Sequence, residues 1–244
     1  MTILPSGWCD VIGRGRMGHA LSSALRAAAV PVRGPLPRGA NASGASIVLL
    51  CVSDREIAAA SAIVERGPLV GHVSASGDLS LLEPHERFSL HPLLSVSGGA
   101  ARFDGAACAI DGSTEDALSV ARSLAIRLGM HARVIRPEQR ALYHAAASMA
   151  SNYLIALEGA AERLAQEVGL ERAALVPLVR ATIEQWASLG ARDALTGPIV
   201  RGDEETVTRQ RDAVAVAAPD LLPLWDALTT TTRDLAALPS RART

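Results

Sequence analysis

Residues 11–18 read V-I-G-R-G-R-M-G, a G-x-G-x-x-G turn that closes an apolar stretch and opens an amphipathic one. Each glycine has a separate physical task in such a turn. Gly13 permits the tight bend after a strand, Gly15 lets backbone approach a pyrophosphate, and Gly18 lets the helix pack on the sheet. The flanks agree with that reading. Residues 7–12 (G-W-C-D-V-I) form a short buried strand. Beyond the turn, Met17, Ala20, Leu21, Ala24, Leu25 and Ala28 recur at the spacing of one helical face. An ordinary Gly-rich turn is the plain alternative, and the strand–turn–helix context weighs against it.

Outward from this turn, strand and helix signals alternate as far as residue 136. Strands are predicted over 30–33, 45–53 (A-S-I-V-L-L-C-V-S), 69–74, 87–90, 107–110 and 131–135. Helices are predicted over 54–64 and 114–128, with a short helical link at 80–84. After Pro137 no strand signal remains, and helices are predicted over 137–168, 172–188, 204–218 and 221–235, with 239–244 frayed. The fold class is therefore α/β: a Rossmann-type, doubly wound, mostly parallel sheet over 1–136, followed by an all-α domain over 137–244. One connection is too short. Residues 34–44, rich in Gly, Pro, Asn and Ser, leave no room for a crossover helix, so the second βα unit reads as trimmed to a loop.

Composition narrows the function. Net charge is −1 and gives no global pull toward nucleic acid or membrane. All 24 basic residues are arginine, so no lysine can serve as a catalytic acid, Schiff base or phosphate ligand. Cys9, Cys51 and Cys108 sit in apolar segments without metal spacing and read as buried free thiols, with no metal expected. Neither a signal pattern nor an apolar run near 18 residues is present, which points to a soluble, cytoplasmic protein.

The charge pattern after the turn addresses the cofactor. From Val11 to Ser53 there is no carboxylate, yet Arg14, Arg16, Arg26, Arg33 and Arg38 all fall there. An NAD enzyme wants an acid at the end of the second strand for the adenosine ribose hydroxyls. Arg33 takes that place, with Arg38 close behind, and guanidinium groups suit a ribose 2′-phosphate. NADP is favoured over NAD on this asymmetry, against the alternative that these are solvated surface arginines.

Two stretches could carry chemistry. His91-Pro92 follows the fifth strand, where open α/β sheets place ligand-facing loops, so His91 either relays a proton to substrate or is a turn histidine fixed by its proline. His144, Ser148 and Asn152 fall at i, i+4 and i+8, one polar line along an otherwise apolar helix, facing either a substrate cleft or other helices. Further along, Arg201 either reaches an anionic substrate or is surface, and Asp203 caps the helix that begins at Glu204 or joins it there. His72 and Ser76 are cleft-lining candidates of lower rank.

The set of motifs resembles a poorly characterised family of two-domain Rossmann oxidoreductases of the 6-phosphogluconate dehydrogenase-like superfamily. The residues that carry the likeness are G-R-G-R-M-G, L-L-C-V-S-D (49–54), S-A-S-G (74–77), L-H-P-L (90–93), Y-H-A-A-A-S-M-A-S-N (143–152) and T-G-P-I-V-R-G-D (196–203). It spans about residues 8–236 and is similar in layout to ketopantoate reductase, prephenate dehydrogenase and pyrroline-5-carboxylate reductase. The resemblance implies a nicotinamide between the sheet and a helical domain that often forms a homodimer. It implies cofactor contacts at Met17, Val52, Ser53 and Ser76 besides the glycines and arginines, and substrate contacts at Tyr143, Arg201 and Asp203. His144 would replace a lysine as proton donor, with Ser148 and Asn152 orienting substrate, and His91 matches a His-Pro pair. The implied activity is NADP-dependent reduction of a C=O or C=N bond in a small anionic substrate. A non-catalytic nucleotide-binding or sensor protein is the alternative, motivated by the trimmed second unit.

Overall fold

Successive side chains of a strand point to opposite faces, and the strands of this chain are apolar on both. A computed structural model describes residues 4–96 and 101–239. Its first unit holds β1 (Trp8–Ile12), α1 (Arg16–Ala27), β2 (Val32–Leu36), β3 (Ala45–Leu50), α2 (Ile57–Ile63), β4 (Leu69–His72), β5 (Arg87–Pro92), β6 (Ala107–Gly112), α3 (Glu115–Arg127) and β7 (His131–Val134). The strands form one sheet in the order β2-β1-β3-β4-β5-β6-β7. Every neighbouring pair is parallel except β5 with β6.

One face of the sheet buries Val11, Ile47, Leu49, Leu90 and Ile110 against Leu21 and Leu25 of α1 and Leu124 of α3. The other buries Ile12, Val48, Leu50 and Val70 against Ile57 and Ala60 of α2. Two-sided burial is why these strands read as near-continuous apolar runs. At the start of α3, Thr114 accepts a bond from the Ala117 N–H at 3.1 Å, and Glu115 and Asp116 lie in the first turn. Both complement the helix's unsatisfied N–H groups.

The second βα unit is trimmed as its sequence indicates: β2 runs into β3 through residues 37–44 without a helix. The loop does the helix's covering work. Ala42 is buried there, with Leu36 and Ala40 packed beside it on the second core. Its course is fixed from both sides. Arg33 donates to the Ser43 carbonyl at 2.9 Å, the Asn41 amide donates to the Glu65 carboxylate at 2.9 Å, and Glu65 N–H donates to the Asn41 carbonyl at 2.9 Å.

The predicted single helix over 137–168 is segmented. A 3₁₀ turn (Pro137–Gln139) leads into α4 (Arg140–Ser148), a π turn (Met149–Tyr153) and α5 (Leu154–Gln166). The chain divides into compact units Met1–Ser151 and Asn152–Thr244, so the sheet-bearing unit reaches past residue 136 and takes in α4. Arg140, anchored in the sheet as described below, is the physical reason. The second unit continues through α6 (Arg172–Leu189), α7 (Ala191–Ala194), α8 (Pro198–Arg201), α9 (Glu204–Ala217) and α10 (Leu222–Ala237). Among the described residues no helix is long and apolar enough to cross a membrane. Of the stretch read as frayed, 240–244 lies outside the described residues.

Candidate functional site

The glycine turn lies where β1 ends and α1 begins. Gly13 has φ +122°, and a Cβ there would sit 2.2 Å from the Cys51 carbonyl oxygen; one on Gly18 would sit 1.8 Å from the Gly13 carbonyl oxygen. Neither position admits a side chain. Gly15 differs, because a Cβ there would meet nothing within 4 Å. It is the N-cap of α1, makes no side-chain cap and has no acid in the turn that follows. The first N–H groups of α1 are therefore left without a side-chain cap, the arrangement that receives phosphate. A cavity of about 550 Å³ opens over this turn, lined by Gly13, Arg14, Gly15, Pro37, Arg38, Cys51, Val52, Ser53 and Glu56.

The cavity's charge is more balanced than the acid-free run suggests. Arg38 pairs with Glu56, and the Ser53 hydroxyl donates to the same carboxylate. The Ser53 hydroxyl, then Arg38 and Arg55, hold the Glu56 carboxyl below its usual range. Arg14 lines the cavity with an exposed side chain.

Arg33 is a correction. It stands opposite Asp10 in the β1–β2 register, and its Nε and Nη2 donate to the Asp10 carboxylate at 2.7 and 2.8 Å. Asp10 is only 1% exposed, so Arg33 serves a buried charge and not a ribose phosphate. Strand β2 starts and ends later than predicted, which moves the strand-end position from Arg33 to the Pro37-Arg38 pair. Asp10 held the missed signal: a carboxylate inside an apolar strand demands a partner. Met17, on α1, is half-buried and packs on the first core. Arg16 opens α1, exposed, and is absent from the cavity lining.

A second cluster forms at the carboxyl ends of β3, β4 and β5. The Ser76 hydroxyl donates to the Asp54 carboxylate at 2.8 Å. His91 Nδ1 lies 3.0 Å from the Tyr143 hydroxyl, with the rings edge to face at 5.5 Å and 88°. The same hydroxyl is 3.4 Å from the His91 carbonyl oxygen; assigning its hydrogen to the shorter contact makes Nδ1 the acceptor. In that assignment Nε2 carries the imidazole proton, and no hydrogen bond from Nε2 occurs among the described residues. Burial, with the charges of His144 and Arg140 adding to it, pushes His91 down to about 4. Burial pushes Tyr143 up to about 12. Both groups are neutral near pH 7. His72, at the end of β4, is likewise pushed down to about 4 by burial and accepts at Nδ1 from the Ser74 N–H at 3.2 Å.

Arg140, Asp54 and Glu56 are site residues that the sequence reading missed. Arg140 is 8% exposed and donates to the Gly77 carbonyl at 2.9 Å, the Ser89 hydroxyl at 2.7 Å and the Asp111 carboxylate at 3.1 Å. Nothing in sequence distinguishes it from the chain's other arginines. The line through His144, Ser148 and Asn152 presumes unbroken α-helix, and the π turn at Met149–Tyr153 interrupts that ladder. His144 is exposed beside Tyr143, Ser148 is half-buried at the end of α4, and Asn152 begins the second unit.

In the helical unit, Asp203 caps α9 by accepting from the Thr206 N–H at 3.1 Å, which holds its carboxyl below the usual range. Arg201 ends α8 with its side chain exposed. An apolar cavity of about 300 Å³ lies between α5, α8, α9 and α10, with Leu157, Ile199, Val214 and Trp225 in its wall. All three cysteines are free and buried, and no group of three or more metal-ligating residues occurs among the described residues.

The profile of a family described as a domain of unknown function (DUF2520) matches residues 106–232, more than half of the chain. The chain belongs to the DUF2520 family. Among curated proteins the chain finds no match. Among solved structures, BF3122 from Bacteroides fragilis, provisionally assigned as an NADP oxidoreductase, is 19% identical over 93% of this chain and 98% of that one, with a TM-score of 0.78. Protein TM1727 from Thermotoga maritima is 20% identical over 93% and 98% of the two chains, with a TM-score of 0.76. A reductive aminase from Aspergillus terreus, in complex with NADPH and ethyl-5-oxohexanoate, is 14% identical over 93% and 94%, with a TM-score of 0.65. This DUF2520 protein therefore has the two-part Rossmann architecture of these proteins.

Proposed function

We propose that the chain is an NADP-dependent oxidoreductase that reduces a C=O or C=N bond of a small, anionic substrate. The observation that carries this reading is a pairing on one edge of the sheet. The open cradle at Gly15 and the neutral His91–Tyr143 pair both lie at carboxyl ends of parallel strands, where α/β sheets bind ligands. The residues fit a dinucleotide: Gly15 leaves room for the pyrophosphate, the α1 N-terminus faces it, and Arg14 and Arg38 line the wall beside it. Those two guanidinium groups are the candidates to hold a 2′-phosphate, Arg38 while turning from Glu56. NADPH in the Aspergillus terreus structure supports the same choice.

A bound reduced nicotinamide supplies the hydride. The remaining chemistry belongs to the chain. His91 donates its Nε2 proton to the oxygen or nitrogen that gains negative charge, and Nδ1 recovers a proton from the Tyr143 hydroxyl. Solvent then reprotonates Nε2, and Nδ1 returns its proton to the phenolate. His144, exposed one residue from Tyr143, stands as the second proton donor, with Ser148 and Asn152 as orienting groups. Arg201, exposed at the end of α8, is the group that would hold an anionic substrate.

The helical unit pairs, in this reading, with a second copy of the chain. Helix α6 runs for 18 residues without one buried residue, while Leu178 and Trp186 are 66% and 58% exposed. The same unit also carries an apolar cavity between α5, α9 and α10. A two-fold pair satisfies both surfaces at once.

Fluorescence titration with NADPH and NADH tests the reading. NADPH should bind more tightly, Arg38→Ala should weaken NADPH and leave NADH unchanged, and Tyr143→Phe should lower turnover about 10²-fold or more. Equal or tighter NADH binding sinks the cofactor choice. NADPH binding without turnover on any carbonyl or imine leaves the sensor alternative in its place.

A further inference from the structure

Helix α4 lies beyond residue 136 yet belongs to the sheet-bearing unit, and it is held there at two points three residues apart. At the first, Arg140 fans out over three segments that are distant in sequence. Its Nη1 reaches the Gly77 carbonyl in the loop after β4, and its Nη2 is shared between Ser89 on β5 and Asp111 on β6. At the second, Tyr143 meets His91 on β5. Residues i and i+3 share a helix face, and residues i and i+2 share a strand face. The step from Arg140 to Tyr143 along α4 therefore matches the step from Ser89 to His91 along β5. Two polar bonds lock the helix to the strand in one register.

We infer that Arg140 is the positioning residue of the His91–Tyr143 pair, docking α4 on β5 so that the phenol meets Nδ1. The inference rests on the role proposed for that pair. Three features separate it from general packing. The guanidinium is nearly sealed from water, so a buried cation has been kept where an apolar side chain would pack. Its acceptors are a carbonyl, a hydroxyl and a carboxylate whose directions fix the planar fork, which a lysine cannot copy. Its charge also faces the imidazole: the charged or titratable groups acting on His91 are His144 and Arg140 from the α4 side and Asp54 from the end of β3. A cation beside His91 favours the neutral ring, the form in which Nε2–H can donate while Nδ1 accepts from Tyr143.

Nitrogen-detected NMR of the histidine side chains tests this without substrate or cofactor. His91→Gln assigns the His91 signals, and wild type, Arg140→Met, Arg140→Lys and Ser89→Ala are titrated. Wild type should show the Nε2–H tautomer and titrate near 4. Arg140→Met should mix the tautomers and raise the titration point only in part, since burial is the larger cause of its depression. Arg140→Lys should restore the low titration point without restoring the single tautomer. If Arg140→Met does not fold, Ser89→Ala decides, since it removes one acceptor and should mix the tautomers partially. An unchanged His91 tautomer and titration in folded Arg140→Met, or in Ser89→Ala, overturns the inference. Failure of NADPH to bind wild-type protein would overturn the proposed function and leave these titrations unaffected.

Discussion

The sheet-bearing unit and the helical unit seal very different amounts of apolar surface. In the first, whole faces of the sheet vanish into two cores, with Val11, Ile12, Val48, Leu49, Leu50 and Val70 fully buried. In the second, the buried apolar residues among those described are Ala165, Val207, Val214 and Ala218, all small or medium. Large side chains there stay outside, such as Leu178 at 66% and Trp186 at 58%. Isolated helices draw most of their stability from packing an apolar face. The sheet unit is thus complete in itself, whereas the helical unit carries surface that asks for a partner.

Paired truncations put the largest strain on that contrast. Leu49→Ala in the sheet core should cost about 2–5 kcal/mol in chemical denaturation, independently of protein concentration. Trp186→Asp on α6 should change the stability of dilute protein by about 0.5 kcal/mol or less, as an exposed site does. At higher concentration it should lower the melting temperature relative to wild type and halve the mass seen by light scattering. If wild-type mass equals that of one chain at all concentrations, the second-copy reading is wrong and the exposed face of α6 needs another explanation.

The same contrast explains what could be read in advance. The sheet unit was legible because its periodicities are local: G-R-G-R-M-G between an apolar strand and an amphipathic helix, and turn residues over 37–44 that forbid a crossover helix. What failed there was non-local. Arg33 was assigned to a ribose because its partner Asp10 lies 23 positions earlier, across a register that sequence does not print. Arg140 was missed for the same reason, since Gly77, Ser89 and Asp111 converge on it only in the folded chain. Beyond the sheet, the extents of α6, α9 and α10 were legible and the π turn at Met149–Tyr153 was not, because Ala-rich helix gives no sign of one extra residue.

A medium effect separates the two arginines that the charge pattern grouped together. Arg33→Ala strands the buried Asp10 carboxylate and should destabilise the sheet unit by about 2 kcal/mol, less than a fully buried pair because Arg33 is partly exposed. It also frees the loop at Ser43. NADPH affinity of the folded variant should stay near wild type. Arg38→Ala should do the reverse, with little change in stability because its pair with Glu56 is a surface one. A loss of NADPH affinity in folded Arg33→Ala, at unchanged Arg38, would return Arg33 to the cofactor site.

The smallest effect is a difference between the units in acid. His72 and His91 of the sheet unit are both pushed from 6.5 down to about 4, chiefly by burial. Between those values the unfolded chain binds protons that the folded unit refuses, so stability is full above about pH 6.5 and declines as pH falls toward 4. The helical unit has no such histidine. Its shifted acids, Glu162, Asp203, Asp220 and Asp226, are carboxylates held below their usual range by exposed partners, so they act only in stronger acid. The tryptophans allow the units to be followed separately. Trp8 alone, in a Trp186→Phe/Trp225→Phe protein, reports the sheet unit, and Trp8→Phe leaves the two helical-unit reporters. Acidification from pH 6.5 to 4 should lower the Trp8 melting transition and leave the other nearly level. His72→Gln should remove its share of that decline and leave the share of His91, because only the first side chain no longer titrates. Equal acid sensitivity at both reporters would mean that the two units melt as one cooperative body, and the contrast between a complete and an incomplete unit would then fail.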